Sequence, residues 1–175
     1  MKSPSLFIKD CEKNFYLKEN IDEIIHELSK FLSEGKGYGE NNIEACLNLS
    51  KCYQIQKKYD NALTALFGSF VYGIPKGEIL YEIGLVFTQK KEYEKAIYWY
   101  KEAISSVSKI ESGAFINKDC YDFLPYLGLC VCYDKLGNLT SAYQYHKLAK
   151  ELKPNDKSVI FNDKYFNNIF ELKKK

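Results

Sequence analysis

Apolar residues recur three and four positions apart along most of the chain, lapse across a short polar break, and resume as a second stripe. In the clearest stretch Leu80, Ile83, Gly84 and Phe87 form one stripe, and Tyr93, Ala96, Tyr100 and Ala103 form the next. Each such unit reads as two amphipathic helices joined by a tight turn. The breaks carry turn residues: Glu19-Asn20, Lys57-Lys58, Lys91-Glu92 and Gly137-Asn138. Pro75 with Gly77, and Pro154 with Asn155 and Asp156, punctuate the connections between units, and Pro125 suits the first turn of a helix. No pattern of alternating strands and helices is present.

The units repeat. Cys46, Leu49, Ser50, Tyr53, Tyr59 and Ala62 recur 34 residues later as Leu80, Ile83, Gly84, Phe87, Tyr93 and Ala96. A third copy, Tyr126, Leu129, Cys130, Tyr133, Leu139 and Ala142, is displaced by 46 residues, one period plus an insertion of twelve. A weaker copy, Ile8, Cys11, Phe15, Ile21, Ile24, Leu28 and Phe31, precedes the others, with a glycine-bearing loop expected over Ser33 to Asn42. The chain therefore divides into units at about 5–38, 43–76, 77–110 and 123–156, an insertion over 110–122, and an amphipathic capping helix over 157–172 that lays Val159, Ile160, Tyr165, Phe166, Ile169 and Phe170 over the open end. Small residues, Ser50, Gly84 and Cys130 on the first helices and Ala62, Ala96 and Ala142 on the second, mark where two backbones approach closely. Tyr53, Phe87 and Tyr133 are expected between successive hairpins, because one hairpin cannot bury its own apolar face. The fold class is all-α: one array, residues 1–175, of stacked hairpins forming a superhelix.

A 34-residue hairpin with this spacing resembles the tetratricopeptide repeat. The match is in register over Glu78 to Val107 and again over Leu124 to Asp156, and it departs from the pattern at Glu12, where a small residue is usual. A narrower likeness lies in Gly113 to Pro125 running into Leu129 to Gly137, which looks like the repeat region behind the catalytic domain of family-2 glycosyltransferases in Gram-positive bacteria. That likeness implies an accessory region, binding the acceptor protein or dimerising, whose catalytic domain with its Asp-x-Asp metal site is not in this chain.

Composition narrows the partners. The balance of 46% hydrophobic and 27% charged residues is that of an ordinary globular protein. The formal charge is +2, and all 25 basic residues are Lys. Without the guanidinium fork that clamps phosphates and reads guanine edges, scattered Lys among 23 acidic residues describes a solvated surface and argues against a nucleic-acid partner. No apolar run approaches the roughly 20 residues that span a bilayer, so no membrane role and a cytoplasmic location are expected. Six cysteines include no Cys-x-x-Cys pair, and Cys130 and Cys132 point about 200° apart on a helix, so they cannot share one metal ion.

Chemistry for catalysis is missing: no nucleophile, base or metal cluster stands out, and neither an enzymatic activity nor a cofactor is expected. His146 reads as a packed core residue with no carboxylate at helical spacing, and His26 as a solvated one. Trp99, beside Tyr98 and Tyr100, suits a stacking platform or an outer contact. Function is expected in binding a protein or peptide segment. The groove residues are Lys9, Lys13 and Tyr16, then Asn48, Lys51 and Gln54, then Glu78, Tyr81, Glu82 and Gln89, with Leu85, Leu127, Val131 and Asp134 also off the core stripe. Lys9, Lys13 and Asn48 imitate part of a carboxylate clamp, but Glu78 and Glu82 would repel the anion. The insertion offers a second candidate in Phe115, Ile116 and Phe123, which either dock on neighbouring helices or form an exposed partner or dimer site; Asp119 or Asp122 is expected to cap the helix near Pro125.

Overall fold

The computed structural model describes residues 21–35, 37–106 and 117–172. Among these it contains eight α-helices and no strand. They are α1 (Ile21–Glu34), α2 (Gly39–Ile55), α3 (Tyr59–Gly68), α4 (Gly77–Gln89), α5 (Tyr93–Ser105), α6 (Phe123–Lys135), α7 (Leu139–Leu152) and α8 (Lys157–Leu172), with short 3₁₀ segments at Ser69–Val71 and Lys118–Tyr121. The hairpins α2/α3, α4/α5 and α6/α7 stack in sequence, α1 packs on α2, and α8 closes the far end on α7. The molecule is an all-α helical-repeat superhelix. None of the described helices is long and apolar enough to cross a membrane.

One backbone device makes all three hairpins. The second residue after each first helix is left-handed: Lys57 (φ 59°), Lys91 (φ 64°) and Gly137 (φ 78°). The next amide then reaches back to the carbonyl of the aromatic residue one turn inside the helix, Lys58 to Tyr53 (2.8 Å), Glu92 to Phe87 (2.9 Å) and Asn138 to Tyr133 (2.9 Å). This is the Schellman termination, which satisfies carbonyls that the helix end leaves open and turns the chain into the second helix. Asn138 adds a side-chain cap, accepting from the Ser141 amide at 3.0 Å.

The small residues sit at the closest approaches. Ser50, Cys130, Ala62, Ala96 and Ala142 are all fully buried. Tyr100 explains two glycines: a Cβ on Gly84 of α4 would lie 2.7 Å from its ring, and one on Gly128 of α6 would lie 2.5 Å away. Its ring is thus clasped between two first helices. Its hydroxyl meets Thr88 Oγ1 at 3.0 Å, and Thr88 in turn donates to the Gly84 carbonyl.

The expected loop over Ser33 to Asn42 is shorter than its glycines suggest. Helix α1 runs to Glu34 and α2 already begins at Gly39, because Gly39 is a contact glycine and not a loop one: a Cβ there would come within 2.8 Å of the Tyr72 carbonyl oxygen. The cap α8 presses Val159, Asn162 and Phe166 inward and leaves Lys164, Asn167, Asn168 and Glu171 outside, the polar outer face that ends a solenoid.

Candidate protein-interaction surface

The first helices lie against one another along the array, α4 with both α2 and α6, so they line the inner side of the curve. On α2 the polar residues Asn48, Lys51 and Gln54 follow at intervals of three, forming one half-buried row. Gln54 Nε2 donates to the Glu82 carboxylate of α4 at 3.0 Å and also reaches Ser50 Oγ at 3.4 Å, tying α2 to α4 across the groove. Glu78, one turn before Glu82, accepts from the Asn117 amide (2.7 Å) and from the Tyr121 hydroxyl (2.8 Å).

Two of the groove residues expected from sequence are therefore not on the surface. Tyr81 and Glu82 are 7% and 6% exposed: Tyr81 packs in the main core with its ring 5.8 Å from that of Tyr100, and Glu82 accepts from Gln54 near the buried Cys120 of the 3₁₀ segment Lys118–Tyr121. Leu85, Leu127 and Val131 are buried too, with Leu127 packed against Val159 of the capping helix. Asp134 stays half-buried and accepts from the Tyr165 hydroxyl. Gln89 is half-buried at the end of α4, its Oε1 without a hydrogen-bond partner. Lys9, Lys13 and Tyr16 lie outside the described residues, as do Phe115 and Ile116. Phe123 does not form an exposed insertion site: it opens α6, is 3% exposed, and carries the Lys153 ammonium 4.7 Å over its ring. Asp122 is the residue that caps this helix, accepting from the Phe123 amide, while Asp119 pairs with Lys153.

Burial sets the electrostatics of this corner. Desolvation raises the pKa of Glu82, against the opposing effects of the Gln54 hydrogen bond and the Lys51 charge. The Cys120 thiol is pushed up as well, first by burial and then by the nearby Glu78 and Glu82. Tyr121 rises to about 12 through burial and its hydrogen bond to Glu78. Cys46, Cys52, Cys130 and Cys132 are likewise buried free thiols held above their usual range by desolvation, which disfavours the reactive thiolate.

His146 is fully buried, stacked on Phe166 at 5.2 Å, and its Nε2 lies 2.7 Å from Asp163 of α8. The orienting carboxylate exists after all, but it comes from another helix, 17 residues away, where no local spacing reveals it. Lys150 shares the same carboxylate at 2.7 Å. Burial raises the Asp163 pKa, and the bonds from Lys150 and His146 outweigh that and lower it. Trp99 is half-buried against the core, edge-on to Tyr98 and beside Phe67 and Phe70 of the preceding hairpin. Among the described residues no group of three or more His, Cys, Asp or Glu is placed to hold a metal.

The arrangement defines a class: a repeat array of stacked helix hairpins whose first helices lie side by side along the inner side. Sequence comparison agrees for the central hairpin, since residues 77–106 match the tetratricopeptide repeat. No protein with a curated description matches the chain in sequence. Among solved structures the fold is similar to the crystal structure of MamA, with a TM-score of 0.62 and 22% identity, over 86% of this chain and 77% of that one. At that identity the likeness is one of fold. The narrower likeness to the glycosyltransferase repeat region gains no support from these matches.

Proposed function

We propose that this protein is a non-catalytic scaffold that holds a segment of a partner protein on its inner face, with Asn48 and Lys51 of α2 as the main polar contacts and Gln54 as the bridge that keeps α2 and α4 in register. The observation that supports this reading is the row itself. Asn48, Lys51 and Gln54 remain partly exposed on the inner side of the curve, where the apolar positions of the neighbouring first helices are already covered. An amide and an ammonium in one row suit an extended segment that offers backbone carbonyls and side-chain acceptors.

The test is affinity capture from the native cells with the natural chain and with an Asn48→Ala/Lys51→Ala double variant. Both substitutions are outside the core, so far-ultraviolet circular dichroism is expected to be unchanged while specific capture falls at least tenfold. Equal capture by the two chains would remove α2 from the binding face.

A further inference from the structure

Helix α1 stands in the array as the second helix of a unit. Gln56 Nε2 donates to Asp22 Oδ1 at 2.7 Å, and the same joint one unit later ties Lys90 Nζ to Asp60 Oδ1 at 2.5 Å. Carried through the repeat, Leu28 of α1 corresponds to Leu66, Tyr100 and His146, and Ile24 corresponds to Ala62, Ala96 and Ala142. Those six counterparts are all 0% exposed. In α1 no residue is buried, and Phe31, on the same stripe, is 37% exposed. Each later second helix packs on its own first helix, and α1 has none among the described residues.

The chain itself supplies an occupant for this apolar face. Residues 1–20 lie outside the described ones and run directly into Ile21. First helices of 17, 13 and 13 residues, each followed by a three-residue turn, serve the later units, and a stretch of this length accommodates either form. Charge favours the same occupant. Helix α1 carries Asp22, Glu23, Glu27 and Glu34 against Lys30, so a second copy of α1 would set acid on acid, whereas residues 1–20 bring four Lys with three acids. One residue fits badly. Sixteen positions before Leu66, Tyr100 and His146 stand Ser50, Gly84 and Cys130, small and buried; sixteen before Leu28 stands Glu12. A carboxylate set against a leucine must be desolvated or must hold the two helices apart.

We propose that residues 1–20 cover the apolar face of α1 as the first helix of an N-terminal hairpin, and that Glu12, brought against Leu28, makes this contact weaker than its three counterparts. The array then begins with a unit that opens before the rest, while its far end is sealed by α8. This closure is independent of what the inner face binds.

Glu12→Ala in the full chain removes the misfit. Ala and Glu differ little in helix propensity, so at an uncovered position the substitution leaves amide exchange in α1 as it was. Against Leu28 it is expected to slow exchange in residues 21–34 on the order of tenfold, with α4 and α5 unchanged. Adding Leu28→Ala is expected to cancel most of that gain, because the new methyl then has no leucine to pack on. Exchange is read by mass spectrometry at two protein concentrations, and equal slowing at both is the expected result. Unchanged or faster exchange in Glu12→Ala overturns the proposal, as does slowing that persists in full when Leu28→Ala is added. Protection of α1 that rises with protein concentration overturns it too, and makes a second copy the occupant.

Discussion

Replacing Tyr100 with Ala tests how the hairpins are locked together. The ring is fully buried and lies against both Gly84 and Gly128, whose Cβ positions would lie 2.7 and 2.5 Å from it. Two of the neighbours are helix backbones, which cannot swing inward as the Tyr81 side chain beside the ring can, so part of the space left by the ring stays open. Large aromatic truncations in cores cost about 3–5 kcal/mol, and the upper half of that range applies where the site cannot collapse. Tyr100→Phe separates the hydroxyl: it removes one hydrogen bond to Thr88, whose own proton still goes to the Gly84 carbonyl, and should cost about 0.5–1.5 kcal/mol. Urea denaturation followed by circular dichroism gives both values, provided the slope of the transition is unchanged. A double-mutant cycle then isolates the contact. Gly128→Ala should destabilise the natural chain and be tolerated, or stabilise, in the Tyr100→Ala background, because the added methyl enters the vacated space. A loss below about 1.5 kcal/mol for Tyr100→Ala, or an equal cost of Gly128→Ala in both backgrounds, would refute the clasp.

Other outcomes follow from the same structure. Glu82→Gln keeps the shape and the Gln54 contact but removes the buried charge. The folded-state pKa of Glu82 is raised, so its contribution is most favourable below the ordinary carboxylate range and is lost as pH rises through the folded value. The variant should accordingly melt higher than the natural chain at pH 8, with the difference vanishing near pH 4; a lower melting temperature at pH 8 would contradict the burial argument. Lys91→Gly relieves a left-handed residue bearing a Cβ and should stabilise the chain by about 0.5–1 kcal/mol in the same urea assay. Asn138→Ala removes the cap of α7 and should cost about 1 kcal/mol. Asp163→Ala leaves Nε2 of buried His146 without its carboxylate and should loosen α8 first, seen as faster amide exchange in residues 157–172 than in α4 and α5. Because the Asp163 pKa is lowered, its contribution in the natural chain holds above the ordinary carboxylate range and is lost as pH falls through the folded value.

The sequence by itself determined the hairpins and their stacking, since both depend on short-range periodicity: stripes at three and four, a break with a turn residue, and small residues recurring at 34. The backbone repeats as faithfully as the residues do, with Lys57, Lys91 and Gly137 in one conformation and Tyr53, Phe87 and Tyr133 supplying the same carbonyl. Tertiary structure decided which faces of those helices stay open. Glu82 and Tyr81 have the spacing of groove residues, and nothing local distinguishes them from Lys51. Tyr81 is buried with Tyr100, 19 residues later on the following helix, and Glu82 lies near Cys120 of a segment about 40 residues later that is held by the Tyr121 to Glu78 hydrogen bond at a separation of 43. His146 finds its carboxylate 17 residues away on a different helix for the same reason. Periodicity reports which side of a helix is apolar. It does not report which polar side chains another part of the chain will cover, because that depends on contacts made only after the hairpins have stacked.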